Sequence, residues 1–211
     1  PMIGHVSMRS AQLWVQTELE AEVAAQYKTS GAADWKQSST IVTKESSAFT
    51  AHIALESLEP GTTYEVQCLV NGEPAGEPFD VTTQVLWDYR MDPPSFSFVT
   101  GSCAFINEAK YDRPGKPYGG GYEIFESMAA DDPDMMLWLG DNIYLREVDF
   151  QSYSGFLHRY SHTRKTPEMA GLLKKCPNYA IWNDHDFGPN DSDGSWVHAD
   201  WSRESFQTFW S

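Results

Sequence analysis

"MMLWLGDNIYLRE", residues 135–147, is the stretch on which the reading of the chain turns. Met135 to Leu139 are five consecutive apolar residues, long enough for a buried strand and too few for a core helix. Gly140 permits a sharp turn after them. Asp141, Asn142 and Tyr144 then follow almost at once. A strand that ends on a carboxylate, an amide and a phenol is read as one that leads into a site.

Two other stretches share this grammar. "FSFVTGSCA" (96–104) is a strand running into a Gly-Ser-Cys turn at Cys103, and "NYAIWNDHDFGPND" (178–191) is a buried strand that ends at Asp184, His185, Asp186 and Asn190. Between and after them, "GGGYEIFESMAADD" (119–132), "DFQSYSGFLHRYSHTRK" (149–165), "PEMAGLLKK" (167–175) and "DWSRESFQTFWS" (200–211) have helical spacing. Apolar strands alternating with helices indicate an α/β layer. In a parallel sheet the C-terminal strand ends share one edge, where ligands bind.

Residues 1–85 read differently. "AQLWVQTE" (11–18), "AEVAAQYKTS" (21–30), "AFTAHIALES" (48–57), "TYEVQCLV" (63–70) and "FDVTTQ" (79–84) have strand length and period-two character. About seven short strands at spacings of roughly 8–12 residues predict a small β-sandwich. "LEPGTTYEV" (58–66) resembles the fibronectin type III pattern, with Tyr64 in the tyrosine-corner position. "LWDYRMDPPS" (86–95) is the expected linker, and residues 96–211 form the second unit.

Composition narrows the functions. With 41% hydrophobic and 14% aromatic residues the chain can build a core, which argues against wholesale disorder. A formal net charge of −15 argues against a nonspecific nucleic-acid or anionic-membrane surface, because both need a basic face. If the substrate is a phosphate ester, something in the site must reverse this field locally, and a metal ion is the obvious candidate. No apolar run is long enough to span a membrane, and no stretch reads as a signal peptide; "PMIGHVSM" opens mid-pattern, which leaves open whether a leader preceded it. Cys68, Cys103 and Cys176 are far apart, with neither zinc-ribbon nor disulfide-framework spacing.

Taken singly, the candidate residues have ordinary readings. Asp141 is an acceptable turn cap, Tyr144 a packed aromatic, His185 a structural histidine, and "DHDFGPNDSDG" an acidic calcium loop that does not follow the EF-hand order. Arg159 and Arg164 sit on a helical stretch and read as a solvated face, with contact to an anionic substrate as the alternative. Together, the strand ends suggest a metal site. Carboxylate and amide oxygens suit hard cations, and a thiol with a phenol points to a strongly Lewis-acidic transition ion such as Fe³⁺.

"GDNIY" fits the Gly-Asp-x-x-Tyr motif of metallophosphoesterases with a purple-acid-phosphatase-like iron site. With "GSC", "WLGDNIY" and "WNDHDFGPND" in this order behind a fibronectin-like sandwich, the chain resembles the PhoD family of alkaline phosphatases and phosphodiesterases. The resemblance implies a four-layer α/β/β/α metallophosphoesterase domain with Fe³⁺ and Ca²⁺, other divalent metals being possible, acting on small phosphate mono- or diesters in a secreted or periplasmic setting. Carried over by residue, Cys103 and Tyr144 would bind iron and Asp141 would bridge it to a second metal. Asp184 would hold that metal, with Asn190 and Asp186 as further oxygen ligands. His185 would act beside the phosphate as acid or charge stabiliser, and Asn142 would orient the loop or the phosphate. Two departures stand out: Asn183 replaces the family's usual Asp, and the family's downstream half, with its further ligands, has no counterpart here. The chain is therefore expected to be a fragment carrying half a site. The rival reading is a non-catalytic calcium-binding or adhesion module.

Overall fold

The computed structural model describes residues 1–211. Its first part contains β1 (Met2–Val6), β2 (Ser10–Gln16), β3 (Glu22–Thr29), β4 (Lys36–Gln37), β5 (Ile41–Val42), β6 (Thr50–Glu56), β7 (Thr63–Val70), β8 (Glu73–Pro74) and β9 (Phe79–Thr82). One antiparallel sheet has the order β1-β2-β6. The other runs β4-β3-β7-β8, with β5 pairing to β3 and β9 to β7. Alternation explains the packing: Ala11, Leu13 and Val15 pair with Leu55, Ile53 and Ala51. Their side chains meet Val23, Ala25, Val66 and Cys68 of the other sheet in one buried cluster. The Tyr64 hydroxyl accepts the Glu59 amide at 2.8 Å, which closes the tyrosine corner expected from "LEPGTTYEV".

Residues 86–95 are largely exposed and contain no strand or α-helix. After them come β10 (Phe98–Gly101), α1 (Glu123–Ala130), β11 (Met135–Leu139), α2 (Tyr153–Arg164), α3 (Met169–Lys175), β12 (Asn178–Ile181), the short α4 (Asp184–Phe187) and α5 (Ala199–Phe209). The three strands form a parallel sheet in the order β10-β11-β12, so their C-terminal ends lie together.

The inner face of this sheet is closed. Met136 and Trp138 are buried against Phe125, Leu172 and Trp210 in a 17-residue core. Buried Asn178 pins the arrangement: its side chain accepts from the Trp138 indole at 3.0 Å and donates to the carbonyls of Cys176, Leu173 and Ile3. The outer face is not closed. Phe98, Leu139 and Ile181 are 53%, 50% and 58% exposed. The strand read as buried is therefore buried on one face only. Residues 96–211 supply a single β layer with helices packed on its inner face.

The sandwich and the α/β part share a core. Met2 and Trp14 belong to the same buried cluster as Tyr160, Leu172 and Phe209, and the Trp14 indole donates to the Thr208 carbonyl at 2.9 Å. No helix is long and apolar enough to cross a membrane.

Candidate metal centre

Three strand ends build the site because their backbones are tied together. The Cys103 amide donates to the Gly140 carbonyl at 3.2 Å and the Ala104 amide to the Asp141 carbonyl at 2.8 Å, joining the ends of β10 and β11. Gly140 adopts φ 90, and a Cβ there would lie 2.7 Å from the Cβ of Asn183, so the ends of β11 and β12 pass in contact. Cys103 and Asp141 themselves hold left-handed backbone, φ 58 and φ 52. Non-glycine residues in this region are uncommon and concentrate at functional sites.

Asp141 is the centre of the cluster. Its Oδ2 accepts from Cys103 Sγ at 3.4 Å and from the Tyr144 hydroxyl at 3.2 Å. Its Oδ1 is buried and has no partner. Buried polar atoms in native proteins are nearly always paired, so an orphaned carboxylate oxygen calls for a cation or a water. Asp141, Asp184 and His185 bring ligand atoms within 4.8 Å of one another. The His185 ring lies 4.3 Å from that of Tyr144. The donor set of carboxylates, imidazole, thiol and phenol fits a metal centre with hard and transition-metal character. Burial pushes the Tyr144 phenol far above its ordinary range, with the hydrogen bond to Cys103 and the charge of Asp141 adding to it.

The other expected site residues are held by partners within the protein. Asp186 is 1% exposed and turned inward: Oδ1 accepts the amides of Asn142 and Ile143, and Oδ2 accepts the amide of Asn183. Both oxygens are thus occupied, and the expectation of metal ligation at Asp186 gives way to an anchoring role. Burial pushes its carboxyl up to about 7, against the pull of these amides. Asn142 is also buried. Its side-chain amide donates to the Ile181 carbonyl at 2.8 Å, while its Oδ1 has no partner. Asn142 therefore braces the loop rather than facing outward to a substrate. Asn190 is exposed at the rim and donates to Asp191 at 2.7 Å; the Asp191 amide in turn donates to Asp184 at 2.6 Å.

The arginines correct a further expectation. Arg159 is 1% exposed and pairs with Asp149 at 2.8 Å and Glu108 at 2.9 Å. Arg164 stacks over Trp210 at 4.0 Å, and burial pushes its pKa down to about 10. Neither is a solvated face, and neither is free for a substrate.

Sequence reasoning missed Arg146, which supports the site from behind. It pairs with Asp112 at 2.7 Å, donates to the carbonyls of Ile106 and Tyr144, and stacks on Phe105 at 4.1 Å. Phe105 in turn packs on Tyr144 at 5.0 Å. The only sequence signal was the position of Arg146 two residues after Tyr144.

Comparisons with known proteins give a family match for the sandwich and a fold likeness for the whole chain. Residues 1–84 match a family described as Domain of unknown function (DUF7800). The structure of PhoD superposes with a TM-score of 0.76 at 16% identity, covering 98% of this chain and 44% of that one. The chain thus spans less than half the length of that protein, and at this identity the likeness shows a shared fold. The sensor domain of the anti-sigma factor RsgI4 in Pseudobacteroides cellulosolvens (18% identity, 41% of this chain and 91% of that one) aligns at a TM-score of only 0.34. A fibronectin type III domain derived from human KIAA0970 protein (14%, 45% and 82%) gives 0.32. No curated protein matches the chain.

Proposed function

We propose that the strand-end cluster is part of a metal-dependent phosphoesterase centre that hydrolyses phosphate mono- or diesters. The observation that carries this reading is the convergence of Asp141, Asp184 and His185 around a buried, unpartnered Asp141 oxygen. The PhoD-like fold supports it. Asp141, Tyr144 and Cys103 would hold Fe³⁺, and Asp184, with Asn190 beside it, would hold Ca²⁺ or another divalent ion. Bound ions of this kind lower the pKa of water, neutralise phosphate charge and favour in-line displacement.

The chain's own residues then have defined tasks. Asp141 and Asp184 put negative charge at the strand ends, and the cations they would hold there would offset the repulsion of a −15 protein for an anion. His185, the second residue of α4 and packed against the ring of Tyr144, would present an imidazole proton for the leaving oxygen. As the P–O ester bond breaks, the water oxygen bonds to phosphorus and gives up a proton to solvent, while the departing alkoxide takes the proton of His185. A secreted or periplasmic setting belongs to the same reading.

The test is hydrolysis of p-nitrophenyl phosphate and bis(p-nitrophenyl) phosphate by the natural full-length protein. Activity that is lost on chelation, restored by iron with calcium, and reduced at least about 100-fold in Asp141→Asn supports the proposal. Calcium binding without iron and without hydrolysis of either ester overturns it in favour of a calcium-binding surface module.

A further inference from the structure

The ends of β11 and β12 carry the two halves of the proposed ligand cluster, yet they are separated by more than forty residues of chain. Something must set their spacing. Strand pairing ends at Leu139 and Ile181, so the ladder itself does not reach Asp141, Asp184 or His185. Beyond it, two buried side chains bridge the segments, and Asp186 makes the larger share of the bonds. Asp186 Oδ1 takes the amide of Asn142 at 2.9 Å and that of Ile143 at 3.2 Å, while its Oδ2 takes the amide of Asn183 at 3.0 Å. The last bond is half of a capping box that starts α4, the turn presenting Asp184 and His185. Asn142 answers across the same gap by donating to the Ile181 carbonyl.

We infer that Asp186 is the positioning residue of the centre: it fixes Asp141 on one strand end relative to Asp184 and His185 on the other. A carboxylate suits this task because it accepts on both oxygens, and three amides converge on it from two segments. Asparagine would keep one acceptor and turn an NH₂ group against the Asn183 amide, and glutamate would push the oxygens out of reach of at least one segment. The function of Asp186 rests on the proposed metal centre, but the bridge itself is independent of any ion.

The experiment compares wild type, Asp186→Asn and Leu172→Ala, a core change remote from the cluster. Two readouts are made: amide hydrogen exchange without metal, and Fe³⁺ and Mn²⁺ affinity by equilibrium dialysis. Asp186→Asn is expected to accelerate exchange at Asn142, Ile143 and Asn183 by at least about 10-fold and to weaken metal binding by a similar factor. Leu172→Ala should lower the melting temperature while leaving both unchanged. If Asp186→Asn leaves exchange at these amides unaltered, or lowers affinity no more than Leu172→Ala, the inference fails. If the wild type binds neither ion while the exchange result holds, the metal reading fails and the bridge stands.

Discussion

Gly140 shows how narrowly the site is built at the scale of one residue. Its φ of 90 and its approach to Asn183 leave no room for a methyl group. Gly140→Ala is expected to cost about 1–3 kcal/mol in denaturant unfolding, because the strain must move the β11 turn away from β12. The same scale shows what the sequence could reveal. Asp141, Asp184 and His185 were legible because glycine breaks and acidic residues follow apolar strands. Asp186 looked like one more ligand in "DHD", since spacing does not tell an outward carboxylate from one turned in to cap amides. Arg159 and Arg164 misled for a related reason: charged residues at helical spacing read as a surface until their partners Asp149 and Trp210, distant in sequence, are placed.

At the scale of elements, the site rests on a buried charge layer between the loop before α1 and helix α2. Burial alone would push the Asp112 carboxyl up, but the Arg146 guanidinium and the Glu108 amide outweigh it and hold the pKa low. Burial is likewise outweighed at Glu108 by His158, Arg159 and His162. Both carboxyls titrate lower in the folded chain than in the unfolded one. Their contribution is therefore complete above the ordinary carboxylate pKa, about 4, and is lost as pH falls through the lower folded values. Asp186 is shifted the other way, to about 7: between that value and the ordinary carboxylate pKa it is protonated in the folded chain and ionised in the unfolded one, so it adds stability as pH falls toward about 4 and no further change below it. Thermal unfolding followed from pH 6 to pH 2 should show a steep loss below about pH 4 that is shallower in Asp112→Asn. A second element-scale prediction concerns Asn178, which joins β11, β12 and β1. Asn178→Ala leaves the Trp138 indole and several carbonyls unpaired and should cost at least about 2 kcal/mol in denaturant unfolding.

On the scale of the whole molecule, the sandwich and the α/β part are locked by a common core. Phe209 stacks on Tyr160 at 4.9 Å and packs against Trp14 from the sandwich at 5.6 Å. Phe209→Ala should lower stability by about 3–5 kcal/mol, and far-ultraviolet dichroism and tryptophan fluorescence should still report one coincident transition. Strand alternation and the Tyr64 corner made the sandwich legible, and helical spacing located α1, α2, α3 and α5. The shared core was not legible, because Met2 and Trp14 lie in a region whose period-two pattern is satisfied by the sandwich alone. Nor was the open face of the parallel sheet, since a run such as "MMLWL" reads the same whether one face or both are covered.

Whether Asp141 gathers Cys103, Tyr144, Asp184 and His185 into one metal centre is read most directly from iron binding and its visible spectrum. Near-stoichiometric iron is expected in the purified protein, with a phenolate-to-iron absorption band that disappears in Tyr144→Phe and with iron itself lost in Asp141→Ala. Iron bound equally well by Asp141→Ala, or a wild-type protein that takes up no iron, would contradict it.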